Sequence, residues 1–65
     1  MMMHGKFEYK AGDTVRIKSG AFALFTGRVI EVNRDDSTLK VSIKFQNEWR
    51  VLKLRFLDVE KAPAL

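Results

Sequence analysis

Apolar and polar residues alternate through most of this chain, and the alternation predicts strands. Val15 and Ile17 alternate with Thr14, Arg16 and Lys18, the period of two expected when one face of a strand is buried. Arg28 to Asn33 is β-branched at Val29, Ile30 and Val32. Leu39-Lys40-Val41-Ser42-Ile43-Lys44-Phe45 alternates without a break and is the strongest local signal. Trp49-Arg50-Val51 follows, then Leu52-Lys53-Leu54-Arg55-Phe56. The alternation slips by one between Val51 and Leu52, which predicts a bulge or sharp coil where a small barrel closes. Phe56-Leu57-Asp58 reads as a single helical turn, and Val59 as a short last strand. Apolar positions between Val51 and Glu60 also recur at three and four, so a helix is the competing reading there.

The connections agree with strands. Asn33-Arg34-Asp35-Asp36-Ser37 is a polar turn cluster between two strong strands, and Gln46-Asn47-Glu48 is a short polar break suited to a second hairpin. Asp35 and Asp36 fit Asx-type bonding to the backbone better than chemistry. Four or five short strands point to a small all-β barrel or sandwich. Residues 7–61 form one domain without linker or repeat. Met1 to Lys6 reads as a tail or expression remnant, and 62–65 as a C-terminal tail.

Composition narrows the function. With 65 residues and no cysteine, the fold has a thin core and no disulfide to staple it. The single histidine, His4, cannot build a metal site alone, and no nucleophile–base pair or convergent acid pair is apparent. The chain is therefore expected to be no enzyme and to hold no cofactor and no metal. The net charge of +4 favours nucleic acid, ribosomes or acidic proteins as partners, or serves solubility. No apolar run approaches the roughly 18 residues of a membrane span, and no signal peptide is visible, so a cytoplasmic location is expected.

One loop stands apart. Ser19-Gly20-Ala21-Phe22-Ala23-Leu24-Phe25-Thr26-Gly27 lies between two predicted strands yet holds Phe22, Leu24 and Phe25. These side chains either cap the barrel or face a partner, and a mixture with at least one exposed ring is expected. Trp49 poses the same choice between packing on the barrel edge and anchoring a partner.

These residues resemble a KOW domain, most closely the C-terminal domain of the NusG family of transcription factors. The resemblance runs from about Tyr9 to Lys61. It rests on Gly12-Asp13, Val15-Arg16-Ile17, Gly20 with Phe22-Ala23, Phe25-Thr26-Gly27, Val29, Glu31-Val32, Leu39-Lys40-Val41, and Phe56 with Val59-Glu60-Lys61. It implies a five-stranded SH3-like barrel, with Gly12 and Gly20 in turns of positive φ and Gly27 where backbones crowd. It also implies a monomeric module that recruits a NusE-type small-subunit ribosomal protein or Rho, while a separate N-terminal domain holds RNA polymerase. The carried-over contacts are Phe22, Phe25 and Phe45, and the neighbouring candidates are Leu24, Gln46, Glu48 and Trp49.

Two departures stand out. Ala21 replaces the proline of the family's Gly-Pro-Phe. The hairpin reads Phe45-Gln46-Asn47-Glu48 where the family has Ile-Phe-Gly-Arg, which shifts the aromatic residue by one and can turn Phe45 toward the core. An alternative is direct RNA binding, as in KOW-type ribosomal proteins. Its candidates are Arg16, Lys18, Arg28, Lys44, Arg50 and Lys53, with Lys40 and Arg55, read as basic residues alternating outward on the strands.

Overall fold

The computed structural model describes residues 8–62, so the predicted tail Met1–Lys6, the domain start at residue 7 and the last three residues lie outside the described residues. Five strands form: β1 (Thr14–Ile17), β2 (Thr26–Asn33), β3 (Thr38–Phe45), β4 (Glu48–Arg55) and β5 (Val59–Lys61). They pair antiparallel in the order β4-β3-β2-β1-β5 and curl into a small SH3-like barrel. The anticipated turn Phe56–Asp58 is a 3-10 helix between β4 and β5, and Val51–Glu60 is not an α-helix. Ala62 continues the β1–β5 edge, donating its N–H to the Thr14 carbonyl at 2.9 Å.

The core follows the period of two. Val15 and Ile17 of β1, Val29 of β2, Leu39, Val41 and Ile43 of β3 and Val59 of β5 are buried together with Tyr9 and Phe56. Tyr9 precedes the first strand and closes the barrel from outside the ladder. Its hydroxyl donates to the Val59 carbonyl at 3.2 Å, and its ring meets Phe56 at 5.5 Å. Burial, with Glu60 and Asp13 nearby, raises the pKa of that hydroxyl, so it stays protonated and keeps donating.

Two expectations from the pattern are corrected. β4 runs opposite β3 without any shift of register from Phe45–Glu48 to Thr38–Arg55, so there is no bulge at Val51. Leu52 and Leu54 face the core, whereas Val51 is an apolar residue on the outer face, 57% exposed. The irregularity lies in β2 instead, between Val29 and Glu31, where Ile30 is the extra residue. In the β2–β3 hairpin the Asx acceptor is Asn33, whose Oδ1 takes the N–H groups of Asp35 (3.0 Å) and Asp36 (3.2 Å). The two aspartates supply the donors.

Gly12 and Gly20 take φ of 97° and 90°, as the turns require. Gly27 has a different role. A Cβ there would lie 2.5 Å from the Ser42 carbonyl oxygen and 2.6 Å and 2.7 Å from the side chains of Val41 and Ile43. The contact is with backbone and core, so nothing flexible can yield.

Gly27→Ala is expected to lower stability by about 2–3 kcal/mol, as overpacking does, and the melting temperature by roughly 10 °C or more; thermal unfolding followed by circular dichroism checks this. A second expectation concerns acid. The Asp13 carboxyl is held below its ordinary value, first by the Lys10 N–H (3.0 Å) and then by Lys61. Asp58 is lowered first by its hydrogen bond from Arg55 (3.2 Å). Depressed carboxylates stabilise the fold above the unfolded value of 3.8, and that contribution disappears as pH falls through the folded values. Urea midpoints should therefore drop below about pH 4, and less steeply in Asp13→Asn.

Candidate partner-binding site

Three phenylalanines from two parts of the chain meet at one end of the barrel. Phe22 and Phe25 come from the β1–β2 loop and Phe45 from the end of β3. Phe22 stands edge-on to Phe25 (centroids 5.5 Å, 90°) and to Phe45 (5.3 Å, 87°), and Phe25 lies 5.6 Å from Phe45. Edge-to-face pairs of this kind are favoured by the ring quadrupole. All three rings are half-buried and pack against the core. Phe45 therefore keeps its place in the inward row of β3 and also borders the surface.

The loop is tightly tied. The Ala23 N–H donates to Gly20 O (3.2 Å) and the Phe25 N–H to Phe22 O (3.1 Å), giving two overlapping turns. Below them the Leu24 N–H donates to Ile17 O (2.7 Å) and the Ile17 N–H to Phe25 O (2.9 Å). Leu24 is consequently held at φ 75°, with its side chain 76% exposed. The exposed apolar group of this loop is thus a leucine, and no ring is fully exposed.

The β3–β4 hairpin forms the other rim. Gln46 and Asn47 have φ of 54° and 64°, the left-handed pair that a two-residue turn between Phe45 and Glu48 needs. Glu48 is opposite Phe45, and Arg50 is opposite the buried Ile43. Arg50 therefore stands on the barrel-end side, contrary to the outward placement expected of it. Its guanidinium lies 5.4 Å from the centre of the Phe45 ring and 3.6 Å from the Glu48 carboxylate. A sequence reading can place Arg50 here only if the turn is counted as two residues, because that count fixes the register.

Trp49 does not join this group. It pairs with Lys44 on the outer face of the sheet, 69% exposed, with the Lys44 ammonium 5.8 Å from its ring. An open groove of about 570 Å³ runs beside it, lined by Thr14, Thr26, Arg28, Ile30 and Lys44. The bulge residue Ile30, 47% exposed, belongs to this face and was not among the expected site residues.

The basic residues do not gather into one stripe. Arg16 is bound to Glu60 (3.0 Å), Lys40 to Glu31 (3.5 Å), Arg50 to Glu48 (3.6 Å) and Arg55 to Asp58 (3.2 Å). Arg28, Lys44, Lys53 and Lys18 form no ion pair among the described residues; Arg28 and Lys44 share the groove, while Lys53 and Lys18 lie elsewhere on the exposed surface. Among the described residues no three potential metal-ligating side chains come together.

The KOW motif family matches residues 11–44, more than half of the chain. The chain belongs to the KOW family. It is NusG-like within that family. The transcription termination/antitermination protein NusG of Vibrio parahaemolyticus is 43% identical over 53 residues, covering 82% of this chain and 29% of the relative. NusG of Escherichia coli K12 is 41% identical over 54 residues, covering 83% and 30%. The solved structure "Domain interaction in Thermotoga maritima NusG" superposes with a TM-score of 0.78 at 33% identity, covering 85% of this chain and 31% of that one. This KOW domain thus spans just under a third of the length of the relatives it matches.

The left-handed turn residues give a prediction for the KOW domain's hairpin. A left-handed conformation costs a side-chain-bearing residue about 1 kcal/mol, so Gln46→Gly should raise stability by roughly 0.5–1 kcal/mol. A melting temperature higher by a few degrees would show it.

Proposed function

We propose that this domain is a non-catalytic recruiting module of a NusG-like transcription factor acting in termination, antitermination or elongation. It receives protein partners on the Phe22–Phe25–Phe45 cluster, with Leu24, Gln46, Glu48 and Arg50 around it. The observation that carries this reading is Leu24. A leucine held at positive φ, with its side chain in solvent, gains nothing for the core and is strained at a rim of aromatic rings. Half-buried rings supply a rigid apolar floor that loses little entropy on binding. Glu48 and Arg50 supply polar contacts at the edge, the usual arrangement of an apolar centre with a polar rim.

By family resemblance the partner is a NusE-type small-subunit ribosomal protein or Rho. RNA polymerase would be held by a separate N-terminal domain of the longer protein, in the cytoplasm. The domain itself acts as a monomer. This reading also keeps the scattered basic residues in a supporting role, since half of the eight candidates are tied to nearby acids.

Amide spectra of the labelled domain titrated with a NusE-type ribosomal protein, and separately with Rho, test this. Shifts are expected at Phe22–Thr26, Phe45 and Arg50. Leu24→Gly should keep or raise thermal stability while weakening binding by about tenfold, the loss expected when a large exposed apolar side chain that a partner would cover is removed. Silence in that loop at millimolar concentrations of both partners would rule the reading out.

A further inference from the structure

The groove on the outer face of the sheet lies apart from the aromatic cluster. The register sets Arg28 opposite Thr14 on one side and Ser42 on the other, and Lys44 opposite Trp49. Ser42 and Lys44 alternate with the buried Val41 and Ile43, so these side chains all stand on the outer face. With Thr26 and Ile30 they line an open groove of about 570 Å³, a size within the range of small-molecule sites, about 300–1,000 Å³. Trp49 stands at one end and Ile30, the extra residue of the bulge, at the other. Three kinds of group here are unpaired. Arg28 and Lys44 form no ion pair among the described residues, whereas Arg16 and Lys40, the next cations on this face, are held by Glu60 and Glu31. The hydroxyls of Thr14, Thr26 and Ser42 make no hydrogen bond among the described residues. Trp49 is 69% exposed and stands outside the core, with the Lys44 ammonium 5.8 Å from the centre of its ring.

Chemistry selects the occupant. Two unpaired cations call for an anion, and an arginine fork beside a row of hydroxyls suits phosphate oxygens. An exposed indole offers a plane on which a base stacks. The Lys44 ammonium lies beside that plane, and Arg28 is two strands and two residues farther on, roughly 12 Å from Trp49 between backbones. A base on Trp49 therefore sends its phosphates past Lys44 toward Arg28. Two cations match two phosphates, and a purine covers the indole more fully than a pyrimidine. An acidic peptide would pair with the cations yet leave the indole plane unmatched. A nucleic-acid strand needs a succession of rings and cations. The groove has one ring and two cations, and Glu31 and Glu60 stand where further phosphates would pass.

We propose that this groove binds a single free purine nucleoside diphosphate, its base stacked on Trp49 and its phosphates held by Lys44 and Arg28 with the hydroxyls of Thr14, Thr26 and Ser42. The site shares no residue with the Phe22–Phe25–Phe45 cluster, so either can fail without the other.

The test titrates the whole chain, labelled for amide detection, with guanosine diphosphate and separately with adenosine diphosphate. Shifts are expected at Thr26, Arg28, Ser42, Lys44 and the Trp49 indole N–H, together with quenching of the fluorescence of Trp49, the single tryptophan. Binding should weaken as salt rises. Trp49→Ala and Arg28→Gln, both exposed changes outside the core, should each weaken it by about tenfold; unchanged methyl signals of Leu39 and Val59 verify the fold of both variants. Leu24→Gly should bind nucleotide as the parent chain does. The proposal is overturned by silence at millimolar nucleotide, by shifts that spare the Trp49 indole, or by equal binding of inorganic pyrophosphate, which would leave a general anion site. Equal binding of a polyglutamate peptide would overturn it in favour of an acidic protein segment. Oligoadenylates whose affinity climbs with length would overturn it in favour of an RNA strand.

Discussion

The barrel depends on one close approach, that of the β2 backbone to β3 at Gly27. Any side chain there would strike the Ser42 carbonyl and the core side chains of Val41 and Ile43. In a domain this small the core is a single cluster of aliphatic side chains closed by Tyr9 and Phe56, and a thin core leaves little stability in reserve. With β2 pressed onto β3, the row Leu39, Val41 and Ile43 is sealed, and the next member of that row is Phe45. The aromatic cluster is therefore the open end of the core. Its rings are rigid because they continue the same packing, and they are accessible because the barrel stops there.

The period of two also separates the two surfaces. Phe45, Glu48 and Arg50 fall on the barrel-end side, while Lys44, Trp49 and Val51 fall on the outer face. One residue of register decides which surface a side chain serves. Neighbours in sequence such as Trp49 and Arg50 thus act in different places, although both flank the same turn.

That dependence explains what the sequence disclosed. The unbroken alternation of Leu39–Phe45 and the turn cluster after Asn33 were enough to read the strands and the hairpin, since each strand's pattern is local. The glycine roles followed from resemblance, and Gly27 meets the crowding expected of it. An exposed valine mimics a change of face, so the pattern predicts the bulge at Val51, whereas the real one at Ile30 hides in a β-branched run where every residue looks buried. Tyr9 seals the core from outside any strand, so no periodicity marks it. Nearness in sequence sets Trp49 among the hairpin contacts and charge sets Arg50 among the outward cations, and the counted turn reverses both placements.

The altered hairpin shows how register reshapes a site without removing it. The family pattern Ile-Phe-Gly-Arg places an aromatic residue and an arginine around a glycine turn; here Phe45 comes one position earlier and Glu48 stands where the arginine is expected. Gln46 and Asn47 make the turn without glycine by both adopting positive φ. That turn sets Glu48 opposite Phe45 and brings Arg50 over the same ring, 5.4 Å from its centre. A guanidinium thus still borders the aromatic floor, now delivered from β4 and tied to Glu48 at 3.6 Å. The apolar floor is kept while its polar rim gains an acid. A partner that meets this rim with a cation finds Glu48, and one that offers a carboxylate must compete with Glu48 for Arg50. Under the proposed function, discrimination among related partners would fall to these two side chains, while the rings would supply affinity that any of them could use.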